Sequence, residues 1–171
     1  MISEPISVYL NSILFKSIFL DNLVYFCAQI LPLVLLALIV YYFIFVDKKP
    51  IRFLSIALIT LTSLALSEIL KAVFSHPRPF LAVSEITQLF TFGSLDSFPS
   101  GHATVFSALA TAMYFENRKI GTIFIIGALL VGLARVVSGV HYLEDVLAGF
   151  VIGFGIVFLS YKYIGKLRNK S

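Results

Sequence analysis

All three histidines of the chain, His76, His102 and His141, fall in or beside three short polar stretches that interrupt a strongly apolar sequence. The first stretch, KAVFSHPRP, carries Lys71 and Arg78. Arg78 lies between Pro77 and Pro79, so no helix continues through it. Snorkelling explains one such cation; two in a proline-set geometry, one of them a planar guanidinium with paired donors, suit a phosphate better. Glu68 stands three residues before Lys71, the spacing of an ion pair on a helix. The second stretch, SFPSGHATVF, opens a helix at Ser100 and Gly101. A helix N-terminus offers free N–H groups and partial positive charge, and glycine lets an anion come close to them. Ser100 alone would read as an N-cap, but a cap has no use for the imidazole of His102 just inside the helix. In the third stretch, ARVVSGVHYLED, Arg135 ends an apolar run, Gly139 breaks the helix and His141 begins the next. Asp145 follows one helical turn later, where its carboxylate accepts a hydrogen bond from one ring nitrogen and leaves the other as nucleophile or base. By spacing alone, Glu144 serves equally.

The elements that position these groups are membrane spans. The 171 residues are 59% hydrophobic and only 13% charged, with a mean hydropathy of +0.98. Soluble domains are typically about 45–50% apolar and about 25% charged, so an ordinary soluble domain is excluded. A helix rising 1.5 Å per residue needs about 20 apolar residues to cross a bilayer core. The apolar runs predict an all-α bundle of five spans over residues 23–46, 51–71, 100–115, 120–137 and 141–163, preceded by a short interfacial helix within 7–20. Residues 1–171 then form a single membrane domain, with no room for a separate soluble module. Gly149 and Gly153 make a GxxxG pattern, which predicts close packing of the last two spans against each other. Cys27 is the sole cysteine, so neither an intrachain disulfide nor a thiolate metal cluster is possible.

Charge places the site on one side. Lys48, Lys49 and Arg52 follow the first span, Arg118 and Lys119 the third, and Lys162, Lys166, Arg168 and Lys170 the fifth. Five spans put these three ends together, and the positive-inside rule makes that side cytoplasmic. The connections 72–99 and 138–140, which bear the reactive residues, then face outward. The formal charge of +4 is spent on topology, at the ends of apolar runs, so no nucleic-acid partner is expected. Ionisable groups at membrane depth are costly and mark function, and here they converge from three regions.

Together the three stretches read KxxxxxxRP (Lys71–Pro79), PSGH (Pro99–His102) and RxxxxxHxxxD (Arg135–Asp145). This ordered set resembles the signature of the type 2 phosphatidic acid phosphatase (PAP2) superfamily, from about Leu23 to the end of the chain. The family's third motif usually begins Ser-Arg; Ala134 stands in place of that serine, which removes a hydroxyl beside Arg135. The resemblance implies a lipid phosphatase in which His141 attacks phosphorus to give a phosphohistidine, Asp145 orients it, and His102 protonates the leaving oxygen. Lys71, Arg78, Ser100, Gly101 and Arg135 would hold the phosphoryl oxygens; His76 receives no role. It also implies that no metal or other cofactor is needed, three cations and a helix N-terminus supplying the electrostatic stabilisation. The small bacterial members imply substrates such as lipid A 1-phosphate, undecaprenyl diphosphate or phosphatidylglycerophosphate. They also imply a multi-pass protein of the bacterial inner membrane, its site facing the periplasm or cell exterior, with membrane lipids around it and no obligatory protein partner. Two other classes compete: a vanadium-dependent haloperoxidase, which the membrane composition opposes because those proteins are soluble, and a non-catalytic lipid-phosphate binder or carrier, which would not need His102 and His141.

Overall fold

The computed structural model describes residues 3–91 and 95–168, with side chains described as far as Tyr163. Lys170 and the side chains of Lys166 and Arg168, three of the four expected tail cations, lie outside the described residues. The described residues form seven helices: α1 (Glu4–Asn11), α2 (Ile18–Asp47), α3 (Pro50–Phe74), α4 (Pro79–Ala82), α5 (Gly101–Glu116), α6 (Arg118–Val137) and α7 (Leu143–Arg168). No strand occurs among the described residues; an isolated antiparallel bridge joins Pro77 and Asp96. α2, α3, α6 and residues Leu143–Tyr163 of α7 are long and apolar enough to cross a membrane. The all-helical membrane bundle is therefore borne out. α5, with 16 residues, rises only about 24 Å and lies at the centre.

The N-terminal expectation needs correction. A short N-terminal helix is present, but it starts before residue 7 and ends at Asn11, and Ile18–Leu20 already belong to α2. The reason is local. Phe15 turns with φ 60°, and its N–H is held by the Asp21 carboxylate at 2.9 Å, so Lys16 and Ser17 fall in a turn and not on a helix face. Further along α2, Pro32 has no N–H to donate and its ring crowds the carbonyl four residues earlier. The helix widens into a π turn over Phe26–Ile30, with the Leu31 N–H bonded to the Phe26 carbonyl, a common relief for such an interruption.

α5 is covered by α3, α6 and α7, which explains why Ala103, Thr104, Phe106, Ala108, Leu109, Ala112 and Met113 are all buried. The glycines of α7 make this possible. A Cβ on Gly149 would lie 2.6 Å from the Ser100 carbonyl oxygen, and one on Gly153 would lie 2.3 Å from that of Thr104. Close packing at this pattern was expected, but its partner is α5 rather than α6. Gly132 of α6 faces the side chains of Val146 and Phe150 instead, so α6 meets α7 through side chains and not backbone. A hydrophobic repeat marks which face is small; it does not say which helix fills it.

The two ends of the bundle differ in chemistry. At one end Arg52 bridges Asp47 at 3.2 Å and Glu116 at 3.1 Å, and the Tyr161 hydroxyl donates to Glu116 at 2.9 Å. This gathers the α2–α3 turn, the α5–α6 turn and the far part of α7. Asn117 caps α6 by accepting from the Lys119 and Ile120 N–H groups. The three polar stretches meet at the opposite end.

Candidate active site

Backbone hydrogen bonds tie the three polar stretches together before any side chain is considered. After α3 stops at Ser75, a left-handed residue with φ 40°, the chain runs extended through His76–Arg78 and pairs with the segment that leads into α5. The Arg78 N–H donates to Leu95 O at 3.1 Å and the Ser97 N–H to His76 O at 2.7 Å. Ser97, which sequence reasoning passed over, is fully buried and its hydroxyl lies 3.2 Å from His76 O. The Ser100 N–H then donates to Asp145 O at 3.0 Å, joining the start of α5 to α7.

His141 precedes α7 instead of starting it. The helix begins at Leu143 because the Asp145 carboxylate reaches back to accept the Tyr142 N–H at 2.8 Å, the return half of a capping box. The same Oδ2 lies 3.4 Å from His141 Nδ1. Glu144, the alternative by spacing, is engaged elsewhere: its Oε2 accepts the Ser3 N–H at 3.0 Å. The other ring nitrogen, Nε2, lies 3.4 Å from Arg78 Nη1, and that Nη1 donates to Val140 O at 2.7 Å. Arg78 is thus buried against the turn that holds His141. Burial lowers its pKa to about 10, with Asp145, Asp96 and Glu68 opposing, so it stays charged at neutral pH. Burial also drives the His141 pKa well below its ordinary value, and Arg135 and Arg78 push the same way. The imidazole is held neutral.

A cavity of about 540 Å³ opens here. Its polar wall is Glu68, Lys71, Arg78, Gly101, His102 and His141, and its apolar wall includes Pro32, Leu33 and Leu36 of α2, Leu64 of α3, and Val105 and Phe106 of α5. Six residues singled out or weighed from sequence therefore converge on one space. Gln29, on the π turn of α2, also lines it; a lone amide in an apolar run gave no signal by which sequence reading could have found it. Lys71 pairs with Glu68 at 2.8 Å, as the spacing suggested. Ser100, Arg135 and Asp145 do not line the cavity and are fully buried. Ser100 caps α5 through its side chain, and Arg135 lies 5.5 Å from the centroid of the Phe90 ring while its carbonyl accepts the His141 N–H at 3.3 Å. His76 packs edge-on to Tyr142, ring centroids 5.7 Å apart, away from the cavity wall.

Beside this cavity, between α2 and α3, lies an apolar one of about 290 Å³ that shares Leu36, Leu64 and Val105 with it and is lined further by Ile56, Thr60 and Phe53.

The profile of the PAP2 superfamily matches residues 52–169. Undecaprenyl-diphosphatase BcrC of Bacillus subtilis is 38% identical over 108 residues, 63% of this chain and 55% of that protein. The chain spans about half to two thirds of the length of the curated relatives it matches first. The crystal structure of Aquifex aeolicus LpxE superposes with a TM-score of 0.74 at 28% identity, covering 95% of this chain and 96% of that one. The PAP2 type phosphatidylglycerolphosphate phosphatase from Bacillus subtilis superposes with a TM-score of 0.66 at 25% identity, covering 95% and 86%.

Proposed function

The chain belongs to the PAP2 superfamily, and from this premise we propose that it is a membrane lipid phosphatase acting through a phosphohistidine on His141. The observation that carries this reading is the setting of the His141 ring: Asp145 on one nitrogen, Arg78 on the other, and a shared cavity wall with His102. In the first step His141 Nε2 forms a bond to the terminal phosphorus as the bond to the leaving oxygen breaks, that oxygen belonging to the lipid in a monoester and to the remaining lipid phosphate in a diphosphate. His102 gives that oxygen its proton. In the second step water attacks phosphorus, His102 takes a proton from it, the N–P bond breaks, and inorganic phosphate leaves with His141 restored.

The neutral state of His141 supplies the lone pair for attack. Asp145 stabilises the positive charge the ring gains as the N–P bond forms. Lys71, Arg78 and the Gly101 N–H at the start of α5 hold the phosphoryl oxygens at the cavity wall, where charge builds in the transition state. Arg135 adds positive potential from behind the wall, and Ser100 keeps the helix N-terminus in place. These cations supply what a metal ion supplies in other phosphoryl transfers.

The substrate is a lipid phosphomonoester or diphosphate, its phosphate at the polar end and its chain in the apolar cavity between α2 and α3. Lipid A 1-phosphate, undecaprenyl diphosphate and phosphatidylglycerophosphate all meet that description, and the names of the relatives support the class. We read α5 as a fifth crossing, short because protein covers its ends, and residues 1–171 as one membrane domain. The gathering of Arg52, Arg118 and Lys119 at the end opposite the cavity supports a cytoplasmic location for that end and a site at the outer face of the inner membrane.

The test is phosphate release from these three lipids in detergent micelles by the purified chain and by His141→Ala. Release by the native chain and none by the variant is expected. Tight binding of lipid phosphate without release by the native chain would make it a binder or carrier.

A further inference from the structure

The short helix α1 lies outside the stretch that matches the family, yet both its ends are fastened to the turn that presents His141. At one end the Ser3 N–H and hydroxyl both engage Glu144 Oε2. At the other, Asn11 Nδ2 donates to Val137 O at 2.9 Å and to Thr87 O at 2.8 Å, and its Oδ1 accepts the Thr87 N–H at 2.9 Å. Val137 is the last residue of α6 before the turn, and Glu144 lies in the first turn of α7 after it. The two anchors straddle residues 138–142.

The packing beneath is equally committed. Gly139 adopts φ +76°, and the space where a Cβ would stand is taken by Thr87 O at 2.7 Å and Asn11 Nδ2 at 3.0 Å. The Leu89 N–H donates to Ser138 O at 3.1 Å, so the loop Asn11 grips is itself bonded to the turn. Val8 of α1 packs against the cluster of Val83, Ile86 and Tyr142. Asn11 is only 4% exposed. Removing its amide leaves the buried Val137 carbonyl without that partner, a penalty larger than the value of the bond itself, and releases the part-buried Thr87 carbonyl and N–H as well.

We infer that α1 is a strap that positions His141, with Asn11 its positioning residue. The Ser3 and Asn11 bonds run to Glu144, Val137 and Thr87, so their loss bears first on His141 and, through the Val140 carbonyl that accepts from Arg78 Nη1 at 2.7 Å, more weakly on Arg78. The kinetic part of this inference rests on the phosphatase reading above; the structural part does not.

The experiment compares the full chain with Asn11→Ala, Glu144→Ala and Glu144→Gln, the last keeping an acceptor for Ser3. Hydrogen exchange is followed at the amides of 138–142, with phosphate release and vanadate inhibition measured in parallel. Asn11→Ala and Glu144→Ala should each speed exchange of these amides tenfold or more and lower kcat by a similar factor, with a much smaller rise in KM and with vanadate inhibition weakened alongside kcat. Glu144→Gln should restore most of both. Unchanged exchange in folded Asn11→Ala, or a rise in KM matching the fall in kcat, would overturn the strap. Should Asn11→Ala fail to fold, Glu144→Ala against Glu144→Gln carries the same comparison from the other end. A native chain that releases no phosphate defeats the phosphatase reading, while the exchange result still decides on the strap.

Discussion

Replacing Asp145 with asparagine keeps the shape of the site and removes one charge. The amide oxygen can still accept the Tyr142 N–H, now 2.8 Å from Oδ2, so the start of α7 survives. What is lost is the interaction with His141, whose Nδ1 lies 3.4 Å from the same oxygen. At that distance and an effective dielectric constant of about 20, a full pair of unit charges is worth about 5 kcal/mol. The ring gains only part of a positive charge in the transition state, so half of this, about 2.5 kcal/mol, is the lower bound. With 1.36 kcal/mol for each factor of ten, the expected loss in kcat lies between roughly 60-fold and roughly 4,000-fold. KM should change little, because Asp145 does not line the cavity. The assay is steady-state phosphate release in detergent micelles, with Glu144→Gln beside it as the neighbouring carboxylate. A loss under tenfold for Asp145→Asn, or an equal loss for Glu144→Gln, would refute the reasoning.

Activity should persist in EDTA and be inhibited by vanadate; complete loss on chelation, restored by Mg²⁺ or Zn²⁺, would assign the charge stabilisation to a metal. His141 must be neutral to attack, so kcat/KM rises with pH through its pKa. Because burial, Arg135 and Arg78 lower that pKa, the acid limb should fall below the ordinary histidine value of about 6.5; a limb at or above it would contradict the assigned environment. In a Cys27→Ser background, a cysteine at exposed Glu85 should react with a membrane-impermeant maleimide in intact cells, and one at exposed Lys119 only after lysis. The reverse pattern would invert the protein and move its substrates to the cytoplasmic leaflet.

The residues of the candidate site were legible because each departs from its surroundings. Lys71, Arg78, His102 and His141 stand out in an apolar chain, and the structure places all four on one cavity wall. The long helices were legible from hydropathy to within a few residues at most ends, as for α3, α5 and α6. Long-range partners were not. Asn11 bonds residues 76 and 126 positions away, and Ser3 bonds one 141 away; nothing in either residue's local sequence encodes that distance. The same limit explains the glycines of α7, whose small face was evident and whose partner α5 was not. His141 was expected to begin a helix because spacing of four suits a helical turn, whereas the Asp145 carboxylate achieves the same proximity by closing a cap at Tyr142.

The central claim is that phosphorus is transferred to His141, and trapping that bond tests it most directly. The purified chain is mixed with a ³²P-labelled lipid phosphate, quenched in alkali within milliseconds and digested. The account predicts label on the peptide containing His141, stable to base, lost in acid, and absent from His141→Ala. Single-turnover phosphate release at the native rate with no such label, or label on His102 in its place, would contradict it.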